Sequence, residues 1–197
     1  MQSPAALRSL LASLAEPPPW DVQLDAGDPA VGLLLSEGFE TYAETVLVAR
    51  RLEGMKVAPH VSGIEIVPYR NAWAEGFAEA EALAMADDPF YREMAPDTGF
   101  AAAEGYGAFF VARAADRIVA FAQAAVPEGW INWMGVVPDE RRRGIAREVL
   151  GEVAREVAAG RGTHLTCETA PGSDGHRFLV AQGFRDHGRQ FYLIRRA

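Results

Sequence analysis

From Trp130 to Gly160 the chain runs without a break through an apolar strand, an arginine-rich turn and an amphipathic helix, and few folds accommodate that order. Trp130 to Val137 has the composition of a strand. After the turn, Ile145, Val149, Val153 and Val157 recur every fourth residue with Leu150 in the same stripe, which predicts a helix, and Gly160 ends it. Between the two, Arg141, Arg142, Arg143 and Arg147 crowd together in a chain whose formal net charge is -8. Cations at a helix start oppose the macrodipole, so a purely structural sequence would place Asp or Glu there. The alternative to a solvated basic face is a local anion. Unpaired N–H groups at a helix start bind phosphate oxygens, arginines add charge-assisted bonds, and Gly144 removes a Cβ from the path of the ligand.

The rest of the chain extends the pattern. Gly63 to Tyr69 alternates as a strand and Asn71 to Met85 reads as a helix. Gly107 to Ala114 and Arg117 to Val126 read as a hairpin around Ala115-Asp116. A strand from Thr163 to Glu168, a short helix from Ser173 to Gln182 and two closing strands, around Phe184 and from Phe191 to Arg195, complete the order. Hairpins followed by strand, helix, strand and helix predict a mixed sheet in an α/β layer arrangement, that is, a mixed α+β fold.

Compared with itself, the chain repeats. Leu34-Leu35-Ser36-Glu37-Gly38-Phe39 lies over Leu179-Val180-Ala181-Gln182-Gly183-Phe184 at a fixed offset, and Val48-Ala49-Arg50-Arg51 lies over Leu193-Ile194-Arg195-Arg196. Residues 1–52 therefore read as the last third of a second copy without the arginine turn, 53–62 as a linker, and 63–197 as the complete domain. A partial copy cannot bury its own sheet face, so it must pack on the complete domain or on another chain, which leaves a homodimer open.

Composition sets the limits. At 197 residues with 49% hydrophobic and 23% charged residues, the chain suits one good core. One cysteine excludes an internal disulfide framework and fits a reducing, cytoplasmic setting. The apolar stretch from Ala5 to Leu14 is interrupted by Arg8 and reads as an amphipathic helix, not a signal peptide, and no run is long enough for a membrane span. Net acidity argues against sequence-independent nucleic-acid binding.

Val136-Val137-Pro138 followed by Arg141-x-x-Gly144-x-Ala146 resembles the acyl-CoA signature of the GNAT superfamily of N-acetyltransferases, and Phe178 through Gly183-Phe184 resembles that family's closing helix and its turn into the last strands. Residues 63–197 follow the family's order of elements. The resemblance implies a mostly antiparallel, centrally splayed sheet flanked by helices. It implies acetyl-CoA as co-substrate and a small-molecule or peptide amine as acceptor, without naming that amine. It implies that backbone groups of Gly135, Val136 and Val137 bond the pantetheine arm, that an N–H near Val136 stabilises the oxyanion, and that Gly135 suits a bulge. The amides of Arg142, Arg143, Gly144, Ile145, Ala146 and Arg147 then hold the pyrophosphate, with the side chains of Arg141, Arg142 and Arg143 reaching its outer oxygens.

Glu168 resembles the family's general-base position, with Asp174 and His176 as weaker substitutes. Two departures stand out. The position of the usual tyrosine acid is Leu179, leaving Tyr192, Tyr106 or solvent, and the usual asparagine before the last helix is missing, with Ser173 nearest. These departures give weight to a non-catalytic acyl-CoA-binding module as the alternative. Cys167 inside an apolar strand reads as a small core residue before it reads as an acyl carrier. Trp130 and Trp133 cannot share one face of a regular strand, and the acids of Asp87-Asp88-Pro89-Phe90-Tyr91 suit a cationic acceptor or a solvated helix end.

Overall fold

The computed structural model describes residues 20–56, 58–88, 105 and 107–196. The expected helix from Ala5 to Leu14, together with Pro89, Phe90, Tyr91 and Tyr106, lies outside them. In chain order the elements are β1 (Trp20–Asp25), α1 (Ala30–Ser36), β2 (Glu40–Arg51), β3 (Glu65–Pro68), α2 (Ala74–Met85), β4 (Ala108–Ala114), β5 (Arg117–Ala124), β6 (Trp130–Val136), α3 (Ile145–Ala159), β7 (His164–Thr169), α4 (Asp174–Ala181) and β8 (Arg185–Arg195). A single-turn 3-10 helix precedes α2 at Asn71–Trp73.

All eight strands form one mixed, mostly antiparallel sheet in the order β1-β8-β2-β7-β6-β5-β4-β3, flanked by helices; only β6 and β7 run parallel. The stripe of α3 explains its place: Ile145, Val149, Leu150, Val153 and Val157 are all buried in the main core. On the opposite side of the sheet, Phe77 of α2 packs edge-on against Phe109 and Phe121. Leu179 is buried in the same core, as its place on the inner face of α4 requires.

The expected pair of closing strands is one strand. β8 runs unbroken from Arg185 to Arg195, through a register shift against β2 at His187.

The N-terminal elements are threaded into this sheet. β2 lies between β7 and β8, and β1 pairs only with β8. The pairings obey one rule. Shifting the β1–β8 register, Trp20 opposite Arg195, by the 145 residues that separate Gln23 from Glu168 yields the β2–β7 register, Arg50 opposite Leu165. The pair Thr45–Gln190 maps onto itself under that shift. Even the irregularities correspond, with the extra residue of β2 at Tyr42 and that of β8 at His187. The burial matches too: Leu34 and Phe39 form a small second core with Leu193, while Leu179 and Phe184 join the main core with Val48. Residues 53–62, read as a linker, touch the start of α3, where His60 Nδ1 lies 2.9 Å from Glu148 Oε1 and Val61 N–H donates to Glu148 Oε2 at 2.9 Å.

Candidate functional site

β6 and β7 pair only at Trp130–Thr166 and Ile131–Cys167, and then diverge. The cause lies in β6. Its register against β5 slips between Ile131 and Trp133, which leaves Asn132 as the extra residue of a bulge, its Nδ2 donating to the buried Gln123 Oε1 at 3.1 Å. The bulge is therefore at Asn132 and not at Gly135. It also removes the regular alternation on which the comparison of Trp130 with Trp133 rested. Gly135 answers a packing demand instead: a Cβ there would lie 2.8 Å from Ala84 Cβ and 2.7 Å from Phe121 Cζ.

Beyond the bulge the ladder decides which amides reach the gap. Val137 N–H donates to Val119 O at 2.9 Å, so in the alternating antiparallel pattern Gly135 and Val137 face β5, while Met134 and Val136 turn their N–H groups away from it. Of the three residues expected to line the gap, Val136 does so; Gly135 and Val137 are consumed by the sheet, and Met134 was missed. Its parity depends on the β5 register, which no local pattern in β6 carries.

At the mouth of the gap the turn is wound into unusual backbone. Arg142 has φ 62° and Gly144 φ 94°, and Gly144 is the N-cap of α3. Alternating left- and right-handed residues point successive N–H groups into one concavity. Among the described residues the N–H groups of Arg142, Arg143, Gly144, Ile145 and Ala146 make no backbone bond outside regular elements, whereas Arg147 N–H donates to Gly144 O at 3.1 Å and is not a free donor. The side chains divide as sharply. Arg141 is structural: Nε donates to Val136 O and a terminal nitrogen to Ala84 O, both at 3.1 Å, tying the end of β6 to α2. Arg143 is paired with Glu140. Arg142 and Arg147 are exposed and carry no ion pair among the described residues. The Asp174 carboxyl at the start of α4 is held below the usual carboxylate range first by Arg177 and further by the charges of Arg141 and Arg142. Ser173 caps α4, its Oγ accepting from His176 N–H at 3.0 Å and lying 3.2 Å from Thr169 Oγ1.

Glu168 is the first residue of β7 past the last β6–β7 pair, so it stands at the apex of the divergence. Its face follows from alternation. Phe121 meets Phe77 of α2, so Ala124 faces the α3 side; Ile131 opposes Ala124 and Cys167 opposes Ile131, which turns Glu168 to the α2 side. Both carboxylate oxygens are engaged: Oε1 accepts from Gln23 Nε2 at 3.1 Å, and Oε2 from Thr45 Oγ1 at 3.2 Å and from the Tyr192 hydroxyl. Burial, then the bond to Glu168, pushes the Tyr192 phenol well above its ordinary range. Gln23 and Thr45 went unnoticed in the sequence, although the internal repeat already places Gln23 over Glu168.

The other candidates have structural tasks. His176 Nδ1 accepts from Gly172 N–H at 3.0 Å, which leaves its Nε2 proton for Asp186 Oδ1 at 3.0 Å. Burial, then Glu168, then Asp88 push the Cys167 thiol up to about 12, so it carries no thiolate at neutral pH. Among the described residues no group of three or more His, Cys, Asp or Glu could hold a metal ion, and no helix is long and apolar enough to cross a membrane.

Residues 105–186 match the acetyltransferase (GNAT) domain. The fold agrees along nearly the whole chain. A GCN5-related N-acetyltransferase from Sphaerobacter thermophilus aligns with a TM-score of 0.65 at 18% identity, covering 97% of this chain and 64% of that one. One from Kribbella flavida gives 0.66 at 19%, covering 98% and 74%. A functionally unknown conserved protein from Staphylococcus epidermidis gives 0.70 at 12%, covering 100% and 82%. At these identities the likeness is one of fold. The chain thus spans under two-thirds of the Sphaerobacter thermophilus protein. No curated protein sequence matches it. GNAT domains bind acetyl-CoA or CoA, and the residues present fit such a ligand: an open strand edge for an extended amide-bearing arm, and a turn whose N–H groups, with two exposed arginines beside them, have no partner among the described residues and suit its diphosphate.

Proposed function

We propose that this chain is an acyl-CoA-dependent N-acetyltransferase that passes an acetyl group from acetyl-CoA directly to an amine. The observation that carries the reading is Glu168 at the apex of the β6–β7 divergence, in line with the phosphate-binding turn at its mouth. The bound co-substrate supplies a thioester whose acyl carbon accepts the amine while the C–S bond breaks and CoA leaves. The Arg142 to Ala146 amides and the Arg142 and Arg147 guanidinium groups hold the diphosphate. Met134 and Val136 turn backbone groups to the pantetheine arm, and the Val136 N–H is the candidate oxyanion donor. A carboxylate offers about four lone-pair sites, of which three are taken here, so Glu168 keeps one to receive the proton that the attacking ammonium must lose. Leu179 is an apolar, buried side chain with no proton to return to the thiolate, and the Tyr192 phenol holds its own proton too tightly to do so; the remaining routes are solvent, Tyr106, which lies outside the described residues, or departure of the thiolate unprotonated.

The N-terminal elements read as a partial copy of the terminal third, a reading supported by the shared 145-residue shift in sequence and in pairing. Thiol release from acetyl-CoA across a panel of alkylamines, polyamines, aminosugars and lysine peptides tests the main proposal. Gly144→Asp, which puts a side chain and a negative charge on left-handed backbone at the turn, is expected to weaken acetyl-CoA binding by at least about tenfold in calorimetry. Binding without turnover on any amine would favour the non-catalytic module, which the buried Leu179 supports.

A further inference from the structure

β1 and β2 carry nothing of the arginine turn, yet they reach the centre of the site. A glutamate at a strand end has three rotatable bonds and, left to itself, samples many rotamers. Glu168 is held by donors from two other strands besides that of Tyr192: Gln23 of β1 and Thr45 of β2. Gln23 Nε2 also donates to Gln190 Oε1, and Gln190 sits opposite Thr45. These four residues are two pairs of mates under the 145-residue shift, Gln23 with Glu168 and Thr45 with Gln190. The axis that relates β1 and β2 to β7 and β8 therefore passes through this polar cluster, and only one of the two mates at its heart is an acid. A carboxylate at both would put two like charges within hydrogen-bond reach, where one is forced to keep a proton. An amide at position 23 donates a hydrogen bond instead.

We infer that Gln23 and Thr45 are positioning residues for acyl transfer, fixing the Glu168 carboxylate in one orientation, so that the N-terminal strands complete the catalytic pocket. The inference rests on the reading of Glu168 as the base. Thr45 is 6% exposed, and the conservative Thr45→Ser keeps its hydroxyl, whereas Thr45→Val removes it at nearly constant volume. Gln23 is exposed, so its substitution does not threaten folding.

The test is an NMR titration of the Glu168 side-chain carboxyl carbon in the full chain, alongside thiol release from acetyl-CoA with the same amine panel. Gln23→Glu is expected to raise the Glu168 titration midpoint by about one pH unit or more, and Thr45→Val to raise it by a smaller amount. Thr45→Ser should leave it in place. Thr45→Val should also lower kcat by roughly threefold to tenfold at unchanged acetyl-CoA affinity. A Glu168 titration in Gln23→Glu that superimposes on the wild-type curve overturns the positioning role while leaving the base intact. Thiol release retained in Glu168→Gln overturns the base itself, and the positioning role with it.

Discussion

Single residues in this chain divide between holding the sheet and meeting the ligand, and the division cuts across their chemistry. Arg141 and Arg142 are neighbours with the same side chain, but one closes β6 onto α2 and the other is exposed with left-handed backbone. Sequence proximity grouped them; only the direction of each side chain separates them. Cys167 gives the clearest quantitative expectation at this scale. Its thiol has a folded value of about 12 against an ordinary value of 9.0, so the folded state favours the protonated form. That stability is fully present below about pH 9 and is lost as pH rises toward about 12. Denaturant unfolding followed from pH 8 to 11 should show a decline that Cys167→Ala lacks, and iodoacetamide at pH 7.5 should leave the native thiol unmodified. Rapid alkylation of folded protein would contradict the raised thiol value of this half-buried side chain.

At the scale of elements, the order of strands and helices from Glu65 onward was legible because each carries its own period: every fourth residue apolar in α3, short apolar runs in β4 and β5. The turn was legible because glycine and arginine at that spacing have few other uses. What stayed hidden depends on partners. The Asn132 bulge, the parity that turns Met134 and Val136 to the gap, and the continuity of β8 are all set by neighbouring strands. Gly135 is a case in point, since its lack of a Cβ serves a helix some fifty residues earlier in the chain, at Ala84. Gly135→Val should force α2 away from β6 and cost about 1–3 kcal/mol in thermal or chemical denaturation. It should also weaken acetyl-CoA binding, because Arg141 ties the same helix end to Val136. Unchanged stability would mean that α2 is not seated as tightly as the 2.8 Å approach requires.

For the whole molecule, the sheet has no seam where the N-terminal segment could be detached. The self-comparison laid residues 34–39 over 179–184 and 48–51 over 193–196, but it could not say that β2 lies between β7 and β8, because a repeat fixes likeness and not neighbours. Removing residues 1–51 takes both flanking strands from β8 and one from β7 and uncovers Leu193. The remaining chain is expected to lose its cooperative thermal transition or to associate through the bared strand edges, as calorimetry and light scattering would show. A monomer that melts as sharply as the full chain would mean that β7 and β8 close on each other unaided.

The threading of β2 also sets an order of events on the ribosome. Among the described residues, β1 and β2 pair only with strands that lie more than a hundred residues later in the chain, so each is synthesised well before its partners. Until β7 and β8 arrive, the nascent chain carries an apolar strand with no place to dock. The sheet can therefore close only once β7 and β8 have been made, and productive folding should depend on protection of that early segment.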